Sequence, residues 1–189
     1  MHFGLINSPQ TKNTLVVSAI SAIACGLIQS EWIFWMPGAV FGLLFAIANF
    51  QSKFQIGLYT ALSSAIYIGA VRIFFKASGN DLNYYWVGGL LAGVSGALTL
   101  ALITKLISKT SLTFSNEFRS TIIGGITGIA FVHIIVSSVA NDFSNEGNWS
   151  WLLFPIAFAL WQIPVGWSLT TSIQPNSNPS SGLSTNAPG

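Results

Sequence analysis

The sequence predicts an all-α protein, a polytopic six-transmembrane-helix bundle, and three observations predict it. Of 189 residues, 51% are apolar and only 6% are charged, where a water-soluble domain is about a quarter charged. The mean hydropathy is +0.63. Six apolar stretches, bounded by polar or charged breaks, come close to the ~20 residues that a hydrocarbon core of about 30 Å requires at about 1.5 Å per residue. They are Thr14–Gln29, Trp32–Phe50, Phe54–Phe75, Trp86–Ile107, Thr121–Ala140 and Trp149–Thr170.

The same composition excludes several classes. With 14 Phe and 7 Trp, most of the chain is too apolar for disorder. Seven basic residues scattered along it cannot form the dense positive face of a nucleic-acid binder. A lone cysteine, Cys25, rules out an intrachain disulfide, a thiolate metal cluster or a CxxC pair. No span gathers the His, Cys and carboxylate groups of a metal site. The glycine runs lie inside apolar spans rather than between a strand and a helix, so no nucleotide or other cofactor is expected.

Residues 1–13 read as a cytoplasmic segment, with Lys12 and His2 the only basic groups ahead of the first span and little basis for a cleaved signal peptide. In Ala22-Ile23-Ala24-Cys25 the cysteine reads as a small buried helix residue, because Ala22 stands where a lipoprotein processing site carries Leu. Only Ser30-Glu31 separates the first two spans, which predicts a helical hairpin with almost no loop. The third span ends near Arg72, which can snorkel to the surface. The fourth carries two small-residue stripes, Gly88-Ala92-Ser95-Thr99 and Gly89-Gly93-Gly96, about 100° apart, and is expected to pack on two neighbours. The fifth offers Gly124 and Gly128, a GxxxG step to seat against one of them. Pro155 and Pro164 interrupt the sixth, and each removes a backbone hydrogen bond near Trp161 and Gln162. Residues 172–189, uncharged with three Pro, read as a disordered polar tail beyond a transmembrane domain at 14–171.

Charge sets the expected orientation. With the N-terminus inside, Lys12, Lys53, Lys105, Lys109 and Arg119 are cytoplasmic and only Arg72 and Lys76 lie outside, favouring both termini in the cytoplasm. Trp32, Trp35, Tyr84, Tyr85, Trp86, Trp149 and Trp151 then form a belt at the outer surface. The chain also divides into three helix pairs whose second members open with Trp32, Trp86 and Trp149. That pattern reads either as three repeated helical hairpins, with a solute site where they meet, or as the general likeness of apolar helices.

His133 is the one ionisable group that the spans place well inside the bilayer, about 20 Å from the cytoplasmic end, and it is a candidate for solute binding or proton transfer. The bland reading is a neutral imidazole bonded to a hydroxyl or carbonyl. Gln162 is deep enough to contact a solute or bridge helices, while Asn49 and Lys105 read as helix-end residues.

Gly93-Val94-Ser95-Gly96 resembles the GxSG of rhomboid intramembrane proteases, which implies a serine hydrolase with Ser95 as nucleophile and His133 as its base. Three features depart from that family. Its histidine belongs on the sixth helix, which has none here; Phe45 stands where a His should precede Asn49; and His133 points about 180° away from Gly124.

The expectation is therefore a non-enzymatic integral protein of a plasma or inner membrane. Small-solute binding or transport is its leading role, with His133, Gln162, Trp161, Ser95 and Arg72 as candidate contacts. Gly89, Gly93, Gly96, Gly124 and Gly128 are assigned to helix packing. The alternative is a scaffold or subunit whose Gly/Ala faces bind partner membrane helices or a second copy.

Overall fold

A computed structural model describes residues 9–28, 30–79, 84–110, 114–142 and 153–173. Among them the chain forms six α-helices: α1 Pro9–Gly26, α2 Met36–Asn49, α3 Lys53–Ser78, α4 Tyr85–Ser108, α5 Phe114–Asp142 and α6 Leu153–Ile173. A 3-10 turn at Ser30–Phe34 joins α1 to α2, so this hairpin is less abrupt than the sequence suggests. Each helix packs on its sequence neighbours, α6 closes the ring against α1, and α4 also touches α6 across the interior.

Four helical segments are long and apolar enough to cross a membrane: Lys53–Ser78, Tyr85–Ser108, Glu117–Ser137 and Leu153–Thr171. The first two helices fall short for different reasons. α2 is apolar but has 14 residues, about 21 Å of rise. α1 has 18, yet Gln10, Lys12 and Asn13 occupy its first turns and Ser and Thr interrupt the apolar run that follows. Thr11, Thr14, Ser18, Ser21, Ala22 and Cys25 face the bundle, while Val16, Ile20, Ile23 and Leu27 are each more than half exposed. An apolar outer face around a polar inner one is untenable in water and natural in hydrocarbon.

The helix ends follow local chemistry. Pro37 opens α2 in its first turn, where a missing N–H costs nothing. The α3 helix stops at Gly79, whose φ of 59° suits a residue without Cβ. At the end of α4, Lys109 adopts the left-handed conformation and donates its N–H to the Lys105 carbonyl. Pro155 is the third residue of α6 and lies in its first turn, so it does not interrupt the helix as the sequence suggested; only Pro164 lies in the interior.

The two ends of the bundle differ. At the proximal end, where α1 begins and α6 finishes, polar bonds link every adjacent pair of helices except α2 and α3. Asn49 of α2 accepts from Gln10 of α1 (3.1 Å) and donates to Thr14 (3.2 Å). Thr14 in turn accepts from Thr170 of α6 (3.0 Å). Tyr59 of α3 pairs with Thr104 of α4 (3.1 Å), and Gln55 donates to the Ile107 carbonyl (2.9 Å). Lys105 of α4 and Glu117 of α5 form a buried ion pair at 2.5 Å, and Ser168 of α6 donates to Ser120 of α5 (3.0 Å). The aromatic cluster Phe41–Phe45–Tyr59–Phe50 joins α2 to α3 and runs from this layer towards mid-bundle, with ring centroids 5.2–5.7 Å apart. Lys105 is thus no snorkelling helix-end residue: its side chain is 1% exposed.

Candidate functional site

Above the polar layer the helices part. A cavity of about 520 Å³ extends from Phe41, Ser63 and Leu100 at mid-bundle to Ser78, Gly79, Tyr85 and Val136 at the distal end. Residues of α2 to α6 line it and leave it partly open, and no described residue of α1 lines it. Its volume is that of a small-molecule site. Aromatic and aliphatic groups supply most of the surface, and among the described residues no Asp, Glu, Lys, Arg or His lines it.

Small residues create the space and also hold it open. On α4, Gly93 packs against the backbone of Gly124 and Gly128, and a Cβ on Gly89 would stand 2.8 Å from the Gly128 carbonyl oxygen. One stripe therefore locks α4 onto α5 backbone to backbone. The second faces α3: Gly88 meets Phe74 and Ser78, and Ser95 and Thr99 line a crevice of about 130 Å³ with Ile66, Gly69, Ala70 and Ile73. Gly96 differs from the other assigned packing glycines, because a Cβ there would meet only Ala70 at 3.7 Å and Trp161 at 3.8 Å. It faces the cavity rather than a helix.

The candidate contacts separate into two groups. Trp161 and Gln162 line the cavity, with Trp161 edge-on to Phe41 at 6.0 Å. Gln162 is 1% exposed and donates its Nε2–H to the Cys25 sulfur at 3.3 Å. Ser95, Arg72 and His133 do not line the cavity. Ser95 donates to the Ala92 carbonyl of its own helix (3.2 Å). Arg72 lies on the exposed side of α3. His133 is exposed, with Nδ1 2.8 Å from the Tyr85 hydroxyl and the two rings 6.0 Å apart. Ser95 and His133 are thus each hydrogen-bonded elsewhere. Tyr85 contributes to the cavity wall, so His133 braces that wall from outside.

Sequence reasoning passed over Ser78, Tyr67, Phe131 and Phe158 as cavity residues. Ser78 carried no signal, lying past the apolar stretch that ends at Phe75. The Lys105–Glu117 pair did leave one, since opposite charges flank a single short interhelical connection. Of the aromatic belt, Trp32, Trp35, Tyr84 and Trp86 are 40–55% exposed at the distal end. Trp149 and Trp151 lie outside the described residues, as do residues 1–8 and 174–189 of the expected terminal segments. No family model, curated protein or solved structure matches this chain.

Proposed function

We propose that the protein is a non-enzymatic, multi-pass membrane protein that binds a small solute, as a carrier or transporter, in the cavity between α2 and α6. All six helices lie in the bilayer on this reading, with the proximal end and both termini cytoplasmic in a plasma or inner membrane. The distal cavity then faces outward. The observation that carries the proposal is the contrast between ends: a layer of polar bonds closes one half of the bundle, while the other holds a cavity of about 520 Å³. A protein that served only as packing would fill such a space, since interiors close-pack and voids are costly.

Purification with native lipids, followed by mass spectrometry of co-purifying molecules, tests this directly. A discrete small molecule should accompany the wild type and be lost from Gly96→Leu, whose side chain would occupy the cavity beside Trp161. An identical lipid profile for the two proteins counts against the proposal.

One observation favours a second reading, a scaffold for partner helices. On α3, Gly57, Ala61 and Ala65 are exposed at four-residue spacing and lead to Gly69, with open space beside both glycines. Small residues at this spacing let helices approach closely in lipid. Bulky substitutions at Ala61 and Ala65 should disperse an assembly built on this face and leave a solute carrier unaffected.

A further inference from the structure

Two residues that line the cavity each carry a buried polar atom with no hydrogen-bond partner among the described residues. The atoms are Gln162 Oε1 and Ser78 Oγ. The surrounding bonds fix the orientation of the amide. The Cys25 thiol donates to the Pro37 carbonyl at 3.7 Å, so its sulfur is the acceptor for Gln162 Nε2. The amide nitrogen is therefore used and the amide oxygen is left over. An unsatisfied buried carbonyl is destabilising, and such a group needs a reason to be there.

We infer that the cavity takes an uncharged, largely hydrocarbon molecule bearing a hydroxyl, a lipid-like alcohol, whose O–H donates to Gln162 Oε1. This deepens the solute-binding proposal and rests on it. Three features of the site select the class. Among the described residues the walls carry no charged side chain, so an ionised carboxylate, phosphate or ammonium would meet no partner there, at severe cost. The vacant atom is an acceptor, so the ligand must supply a donor. It lies on α6 about 13 Å along the helix from Leu153, which leaves an apolar path lined by Phe131, Phe158 and Trp161 for the hydrocarbon. Ser78 Oγ at the distal end can bond a second polar atom of the same molecule. A pure hydrocarbon would fit the walls and forfeit both bonds.

Trp161 provides the readout. The protein in phosphatidylcholine nanodiscs is titrated with three bromine-labelled probes of equal chain length: a bromoalkanol, a bromoalkane and a bromoalkanoate at neutral pH. The signal is the saturable fluorescence quenching that disappears in Trp161→Phe, which separates the cavity from lipid-facing tryptophans. The alkanol should bind about tenfold more tightly than the alkane, the ratio that one retained hydrogen bond of about 1.4 kcal/mol supplies, and more tightly than the alkanoate. Gln162→Met, close in size but without the carbonyl, should bring alkanol and alkane together. Equal affinities for alkanol and alkane in the wild type overturn the hydroxyl assignment even if the variant does not fold, and leave the binding cavity standing. Tightest binding of the alkanoate overturns the uncharged class. Absence of saturable quenching by all three overturns the cavity reading itself.

Discussion

Gly93 and Gly96 stand three positions apart on α4, look alike in the sequence and face different surroundings. A Cβ on Gly93 would press into the backbone of Gly124 and Gly128, and backbone cannot rotate away. Gly93→Ala should force α4 and α5 apart and cost about 1–3 kcal/mol, the usual range for overpacking. At Gly96 the nearest atoms stand at ordinary contact distance, so Gly96→Ala should be neutral or gain up to about 1 kcal/mol from helix propensity. Unfolding midpoints of the two variants in one detergent check the contrast, and equal losses would mean that the α4–α5 contact is not as drawn. Residue identity made these positions legible as small, because Gly at helical spacing in an apolar span signals close approach. It could not say which glycine meets backbone and which meets a void, since that depends on the rotation of α4 between α3 and α5. For His133 the helical wheel gave a face opposite Gly124, but not the Tyr85 hydroxyl that its ring meets at 2.8 Å.

At the scale of the helix, the connection between α4 and α5 is flanked by a buried ion pair. Lys105 and Glu117 lie 1% and 9% exposed by side chain and pair at 2.5 Å. Removing one partner strands the other in a medium that solvates it poorly, a loss of about 3–5 kcal/mol. Replacing both with apolar groups removes the desolvation penalty together with the attraction and is often close to neutral. Lys105→Met or Glu117→Leu alone should therefore destabilise far more than the double variant, and a double-mutant cycle read by denaturant titration measures the difference. Additive losses would show that the charges act independently. The apolar stretches made the four long helices legible, because hydropathy over 19 or more residues is a strong signal. α1 was legible only as a short span. Gln10, Lys12 and Asn13 shorten its apolar run, while Thr11, Thr14, Ser18 and Ser21 fall on the inner face, and a hydropathy sum counts these four as though they met lipid.

For the molecule as a whole, the polar bonds and most of the positive charge lie at the same end of the bundle. Lys53, Lys105, Lys109 and Arg119 belong to the ends of α3, α4 and α5 near the Tyr59–Thr104 bond and the Lys105–Glu117 pair. Lys12 sits in the first turn of α1 beside the Gln10–Asn49 bond. Arg72 and Lys76 lie near the opposite end of α3, towards Gly79. Positive residues remain on the cytoplasmic side of a membrane, so the end sealed by polar bonds should face the cytoplasm and the cavity should open outward. An even number of crossings then returns the chain to the side on which it started. Reporters active only in the cytoplasm, fused separately at residue 1 and at residue 189, should both be active, and a cysteine at Gly79 should react with a membrane-impermeant maleimide added from outside. Reporters active at one terminus alone would mean an odd number of crossings, in which case α1 or α2 lies on the membrane rather than through it. Two silent reporters with an unreactive residue 79 would invert the bundle, and the cavity would then receive its solute from the cytoplasmic side.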